Sequence, residues 1–150
     1  MNLSKRFSQI ESLIEEIHYN NKQKGFWDNP VTGEYDTNRN IGEMLMLVTS
    51  ELSEGLEADR LGRRSNLEKF YEDWYQSDEY QSNEFTNEQK TEKFKSVFIE
   101  NIKDSFEDEL ADAVIRIFDM CGGLKINLDA HIKFKLMYNK TIEHKHGKKY

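Results

Sequence analysis

Cysteine, proline and long apolar runs are nearly absent from this chain of 150 residues. It has one cysteine and one proline, and a single cysteine excludes an intrachain disulfide framework. Cys121 lies in an apolar helical run, where a small buried side chain in a reducing compartment is expected. No apolar segment approaches the roughly 18 residues of a membrane span, and the charged N-terminal residues break up any apolar core of a signal peptide. These absences favour a cytoplasmic protein without a membrane partner.

Positive charge is scarce outside the C-terminal segment. Residues 125–150 hold seven lysines and two acids, Asp129 and Glu143, which gives a formal charge of +5. Since the whole chain has a net charge of −7, residues 1–124 have a charge of −12. Binding to duplex nucleic acid usually requires a broad basic surface, so a duplex is not an expected partner. An acidic body with a basic tail better suits a small anion held between a metal ion and lysines.

Apolar residues follow helical spacing along nearly the whole chain, and no alternating strand pattern competes with them. The stripes predict helices over residues 3–17, 41–56 and 94–121. The third and longest is expected to stop at Gly122-Gly123, and a fourth helix is expected to begin near Asp129 and to run toward Gly147. The length fits one core. The sequence therefore predicts one all-α domain over residues 1–150, a helical bundle of four main helices.

The segment of about residues 62–92 interrupts this pattern. It is polar, yet it contains too many aromatic residues for a disordered linker: Phe70, Tyr71, Trp74, Tyr75, Tyr80 and Phe85. Within it, residues 67–75 have the spacing of a short helix. We expect an inserted, aromatic-rich element between the second and third helices.

Two pairs of carboxylates stand at the edges of the second and third apolar stripes, Glu51-x-x-Glu54 and Glu109-x-x-Asp112. Residues three apart on a helix share a face, so each pair can direct two carboxylates to one point. If the two helices pack together, four carboxylates converge beside the core and need a counter-ion. Mg²⁺, or Mn²⁺ in its place, suits such oxygen ligands and keeps positions open for substrate phosphates. Either pair alone would be ordinary on a solvated face.

Three segments carry a wider pattern: GEMLMLVTSELSEGLEADR (residues 42–60), FEDELADAVIRIFDMCG (residues 106–122) and KLMYNKTIEHKHGKKY (residues 135–150). Together they resemble the MazG-like branch of the all-α nucleoside triphosphate pyrophosphohydrolases. The resemblance implies that Glu51, Glu54, Glu109 and Asp112 bind Mg²⁺ and that nucleoside triphosphates are cleaved to monophosphates and pyrophosphate. It also implies a homodimer or homotetramer. Ser50 stands where the family motif E-E-x-x-E has its first glutamate, and the insert lengthens the interval between the two motifs.

The implied reaction also suits the residue types. Hydrolysis of a phosphoanhydride needs charge neutralised on the phosphate oxygens and a water aligned with the attacked phosphorus. Carboxylate pairs on rigid helices can hold the metal ions that do both. Glu54 is expected to orient the water in addition to binding metal.

The remaining candidates concern the substrate. Lys135 and Asn139 share a face of the fourth helix, so both are expected to contact phosphates, together with the tail residues Lys148 and Lys149. Two neighbouring aromatic residues after the first helix could stack on the base or pack in the core, and the sequence leaves both roles open: Phe26 and Trp27.

Two other functions stay open. A non-catalytic helical module could bind another protein through its acidic face and aromatic insert, with Trp74 and its neighbours as anchors. A di-iron carboxylate bundle is the rival enzyme, because Glu15 with His18 and Glu143 with His146 form two Glu-x-x-His pairs. The second pair lies at the end of the last helix, far from the middle of a bundle.

Overall fold

A computed structural model describes residues 3–142 of the chain, with side chains from residue 9 onward. Throughout this part the regular structure is helical, and one isolated β-bridge joins Asp28 to Tyr35. The prediction of an all-α protein is therefore confirmed. In chain order the helices are α1 (Leu3–Gln23), α2 (Ile41–Arg60), α3 (Leu67–Tyr75), α4 (Asp78–Gln81), α5 (Asn87–Asn101), α6 (Phe106–Gly123) and α7 (Leu128–Asn139).

The single long third helix of the prediction is wrong, because residues 94–121 belong to two helices, α5 and α6. The chain breaks at Asp104, whose φ is 58°, a left-handed conformation that ends a helix. Ser105 then accepts a hydrogen bond from the Asp108 amide at 3.2 Å and so caps the start of α6. The apolar spacing hid this break because Ile102 and Phe106 continue the stripe across it.

The other helix ends follow local capping chemistry. The predicted short helix over residues 67–75 is present as α3, and Asn66 caps it by accepting from the Lys69 amide. A capping box formed by Thr86 and Gln89 starts α5. Asn127 caps α7, which begins at Leu128, one residue before Asp129, where the start was predicted. α6 ends at Gly123, within the Gly122-Gly123 pair that was predicted to stop it.

The chain divides into two compact units, residues 1–41 with 115–150 and residues 42–114. The single domain over residues 1–150, which the length of the chain predicts, stays a prediction. In the first unit α1 packs against α7, and its buried apolar residues are Ile14, Trp27 and Cys121. None of the helices over residues 3–142 combines the length and apolar character that crossing a bilayer would need.

Asp119 organises the polar centre of the first unit. Its Oδ1 accepts hydrogen bonds from Trp27 Nε1 and His18 Nδ1, both at 2.9 Å. The other ring nitrogen of His18 lies 3.1 Å from the Tyr35 hydroxyl. Gly123 leaves room for the indole, because a Cβ on this residue would lie 2.0 Å from a ring carbon of Trp27. The 24–41 connection is thereby fastened to α1 and to the end of α6.

In the second unit the predicted insert of about residues 62–92 is part of a longer segment, residues 66–105, which is called the insert from here on. Its aromatic residues pack between α3 and α5. Phe70 is buried and contacts Phe94 and Phe98 edge to face, with ring centroids 5.8 and 6.4 Å away. The two ends of the insert are tied together, because the Asn66 amide donates to the Asn101 carbonyl at 2.7 Å. The Phe106 amide, at the start of α6, donates to a carbonyl just after α2, that of Arg63, at 3.1 Å.

Candidate metal centre

The two carboxylate motifs lie on α2 and on the first half of α6, both within the second unit. The helices approach closely at Gly55, where an added Cβ would lie 3.4 Å from the Cβ of Glu109 and 3.8 Å from the Phe106 ring. Because Gly55, one turn after Glu51, has no side chain, the backbone of α2 can lie close to the side chains of Glu109 and Phe106 on α6. Gly55 was not among the residues predicted from the sequence, although an isolated glycine inside a helical stripe often has a packing reason.

Three of the four predicted carboxylates come together. Glu51, Glu109 and Asp112 each offer an oxygen, and these oxygens lie within 4.8 Å of one another. Glu51 and Glu109 are each 7% exposed, whereas Asp112 is exposed. The cluster therefore lies at the edge of the core with one side open to solvent, a position from which a bound ion could still reach a substrate.

Glu54 lies outside this group of three. Its side chain is exposed, and its Oε1 accepts a hydrogen bond from the Ser50 hydroxyl at 3.2 Å. Ser50 thus holds the second carboxylate of the Glu51-x-x-Glu54 pair. Glu54 is nevertheless close enough for its negative charge to raise the pKa of Glu109.

The electrostatics of the cluster favour a positive partner. Burial is the largest cause that raises the pKa of the Glu109 carboxyl, and the negative charges of Glu54 and Glu51 raise it further, with smaller contributions from Asp108 and Asp112. A buried carboxylate surrounded by like charges takes up a proton or a cation more readily than an exposed one. The second unit as a whole adds to this, with 19 Asp and Glu against 8 Lys and Arg.

The donor set fits a hard divalent cation. All three ligands are carboxylate oxygens, which Mg²⁺ and Mn²⁺ prefer. Two oxygen ligands of one Mg²⁺ are at most about 4.2 Å apart, because each Mg–O distance is about 2.1 Å. The three carboxylate oxygens lie within 4.8 Å of one another, so they would move closer together on binding one ion. Among the described residues this is the one group of three or more His, Cys, Asp or Glu with metal-binding spacing.

Metal binding and stability are expected to depend on pH in opposite directions. A raised pKa means that the folded chain holds the Glu109 proton more tightly than the unfolded chain does. Without metal, the resulting stabilisation is present below the ordinary value of 4.5 and is lost as pH rises through the raised pKa. With Mg²⁺, a fall in pH through the same range should weaken binding, since protons compete for the carboxylate.

Thermal unfolding measured against pH, once in EDTA and once in Mg²⁺, checks both trends. Glu109→Gln is the matched control, because it keeps the shape and removes the titration. The variant should lose the Mg²⁺-induced rise in Tm and the contribution of Glu109 to the pH dependence. A wild-type pH profile retained in the variant would show that Glu109 is not the titrating group.

Substitutions at Gly55 test the close approach of α2 to α6. Gly55→Ala places its Cβ in ordinary contact with Glu109 and gains helix propensity, up to about 1 kcal/mol of stability. Gly55→Leu overfills the contact, which costs about 1–3 kcal/mol, and it should also weaken Mg²⁺ binding by separating the carboxylates. Calorimetric titration with Mg²⁺ distinguishes the two variants. Equal affinity in both would mean that the spacing at Gly55 does not control the cluster.

The predicted phosphate contacts lie elsewhere in the chain. Lys135 and Asn139 are exposed on α7, in the first unit, and the Lys135 ammonium lies 5.0 Å above the ring of Tyr138. Lys148 and Lys149 lie outside the described residues. A role in phosphate binding therefore stays a prediction for all four residues.

The two candidates for base stacking differ sharply in exposure. Trp27 is 1% exposed, with its indole N–H bonded to Asp119, so its ring offers no face to a base in this structure. Stacking by Trp27 is therefore corrected to core packing, which the sequence had left open. Phe26 is 62% exposed, and for this residue stacking stays a prediction.

His18, part of the Glu-x-x-His pattern that suggested a di-iron site, makes hydrogen bonds within the first unit. His18 is held by Asp119 and Tyr35, and Glu15 is exposed. Within the described residues His18 belongs to no group of three metal-binding side chains. Glu143 and His146 lie outside the described residues.

Comparisons of the chain with family models, with curated proteins and with solved structures found no match. The resemblance to MazG-like pyrophosphohydrolases consequently rests on the three quoted segments and stays a prediction.

Proposed function

We propose that the protein is a Mg²⁺-dependent nucleoside triphosphate pyrophosphohydrolase, which cleaves a ribo- or deoxyribonucleoside triphosphate to the monophosphate and pyrophosphate. The observation that carries the proposal is the convergence of Glu51, Glu109 and Asp112, whose carboxylate oxygens lie within 4.8 Å of one another at a half-open site. The resemblance of the motif-bearing segments to MazG-like enzymes supports the choice of substrate class and of an all-α bundle of that type.

The residues of the chain divide the work as follows. Glu51, Glu109 and Asp112 would hold the cation. When bound, Mg²⁺ supplies neutralisation of negative charge on the phosphate oxygens. Glu54, which is exposed and close to this group, accepts a hydrogen bond from a water and directs its oxygen toward the α-phosphorus. The new bond joins that oxygen to the α-phosphorus, and the proton that the water loses passes to the Glu54 carboxylate and from there to solvent. The bond between the α-phosphorus and the α–β bridging oxygen breaks, and pyrophosphate leaves with that oxygen.

Association with a second copy belongs to the same proposal. α2 exposes Leu45, Leu52 and Leu56, each about half exposed, and α6 exposes Leu110 and Val114 in the same unit. Apolar side chains exposed at this spacing are typical of a helix face that another surface covers. The predicted homodimer or homotetramer would bury them, and light scattering after gel filtration measures the mass directly.

Release of pyrophosphate from a panel of ribo- and deoxyribonucleoside triphosphates tests the proposal. We expect turnover of at least one member with Mg²⁺ and none in EDTA. Glu109→Gln, prepared in the same way, controls for contaminating phosphatases. Release of single phosphates instead of pyrophosphate would overturn the assigned bond, and no turnover of any member would favour the non-catalytic module.

A further inference from the structure

A row of three tyrosines covers the outer side of the insert. Tyr71 and Tyr75 lie one turn apart on α3 with ring centroids 5.8 Å apart, and the Tyr80 ring on α4 meets Tyr75 at 4.8 Å and 88°. These three residues, here the tyrosine row, are 45–50% exposed. Trp74, the anchor suggested by the sequence, lies instead half-buried against Tyr80 and Phe94. The exposed aromatic surface of the insert therefore belongs to the tyrosines.

Negative charge borders the tyrosine row. Glu68 and Glu72 lie within about 60° of Tyr75 around α3, at 100° per residue. On the side of α3 that carries Glu72, a depression of about 360 Å³ is lined by seven residues, none of them a tyrosine of the row, four of them acids and one a lysine: Glu72, Asp73, Gln76, Ser77, Asp78, Glu79 and Lys93. Among the described residues Glu72 and Glu79 take part in no ion pair, so both charges are available to a partner.

We infer that the tyrosine row and its acidic border bind an arginine-rich segment of a partner protein. A guanidinium group can stack on a tyrosine ring and donate to a carboxylate with its remaining N–H groups. The row supplies the rings, while Glu72, within about 60° of Tyr75 around α3, and Glu79, the residue before Tyr80, supply carboxylates. Complementarity of charge selects this occupant, because residues 67–81 carry five acids and one lysine.

The same charge disfavours two other occupants of an exposed aromatic surface. Bases of single-stranded nucleic acid stack on aromatic rings, but their phosphates need a positively charged groove. Anionic membranes attract basic segments and repel acidic ones. The inference is independent of the proposed pyrophosphohydrolase, since none of its residues belongs to the carboxylate group on α2 and α6.

Titration of the full chain with a short peptide of alternating arginine and glycine, followed by calorimetry at low salt, tests the inference. Wild type should bind this peptide and should not bind the same peptide with glutamate in place of arginine. Tyr75→Ala should weaken binding about two- to fivefold, the effect of one exposed cation–π contact. Glu72→Gln combined with Glu79→Gln should weaken it about three- to tenfold.

Two matched variants keep the test specific. Tyr19→Ala removes a tyrosine from α1 that is 62% exposed, and Glu16→Gln removes an exposed acid of the same helix; both should leave affinity unchanged. Circular dichroism confirms that each variant folds. Equal losses in these controls would assign binding to net charge and overturn the inference, as would an absence of binding. A dimer that dissociates on Tyr75→Ala would also overturn it and would assign the row to a second copy.

Discussion

Asp112→Asn is expected to lower pyrophosphate release by about 10²- to 10³-fold, equivalent to about 3–4 kcal/mol in the activation free energy. Asp112 is the exposed member of the carboxylate group, so the loss of its charge should leave the helical fold intact while it weakens the hold on the cation. Glu51→Gln should have an effect of the same order. Initial rates at one fixed Mg²⁺ concentration that does not saturate the variants, with circular dichroism for the fold, measure both.

Glu57→Gln is the matched control for these variants. Glu57 lies on α2 one turn beyond Glu54 and forms an exposed pair with Arg60 at 3.8 Å, an interaction worth little to stability. Its removal should leave the rate unchanged. A normal rate in Asp112→Asn would remove Asp112 from the metal-binding set, and normal rates in both cluster variants would end the case for a metal-dependent enzyme at this site.

Trp27→Ala is expected to lower the free energy of unfolding by about 3–5 kcal/mol, the usual cost of deleting a large buried aromatic side chain. The indole is 1% exposed and its N–H bonds to Asp119, so the substitution leaves a cavity and removes one of the two donors to that carboxylate. Trp27→Phe fills much of the cavity but cannot donate a hydrogen bond to Asp119. Its free energy of unfolding should therefore lie between those of the wild type and Trp27→Ala. Denaturation in urea gives all three values.

Phe26→Ala supplies the comparison at the neighbouring position. Phe26 is 62% exposed, and substitutions of exposed residues usually change stability by less than about 0.5 kcal/mol. The losses in the free energy of unfolding caused by Trp27→Ala and by Phe26→Ala should thus differ by about 3–4 kcal/mol. Similar losses for Phe26→Ala and Trp27→Ala would contradict the burial that separates them.

Periodicity was sufficient to predict the all-α class, the helix at α3 and the start region of α7. It failed between α5 and α6, because the break depends on the backbone of Asp104 and the cap at Ser105, while apolar spacing records only which side of a helix is buried. Phe26 and Trp27 show the same limit. Two adjacent aromatics look alike in sequence, and only the position of Asp119, more than 90 residues later, decides which one is buried.

The candidate site was predictable in part for a similar reason. Three-residue spacing aligns two carboxylates on each helix, but their meeting depends on how close the helices come. The distance between α2 and α6 depends on Gly55, and the spacing of the acids gives no information about this residue. The position of Glu54 depends on its hydrogen bond with Ser50, which the spacing of the acids does not reveal.

The two ends of the insert, residues 66–105, lie next to each other, because Asn66 is hydrogen-bonded to Asn101. The chain leaves α2 and returns to α6 at nearly the same place, where Arg63 meets Phe106 and the Ser65 amide donates to Glu107 at 2.9 Å. A shortened chain that joins residue 64 to residue 105 through a brief linker tests whether the two proposed activities are separate. We expect this chain to keep the proposed release of pyrophosphate and to lose binding of the arginine-rich peptide.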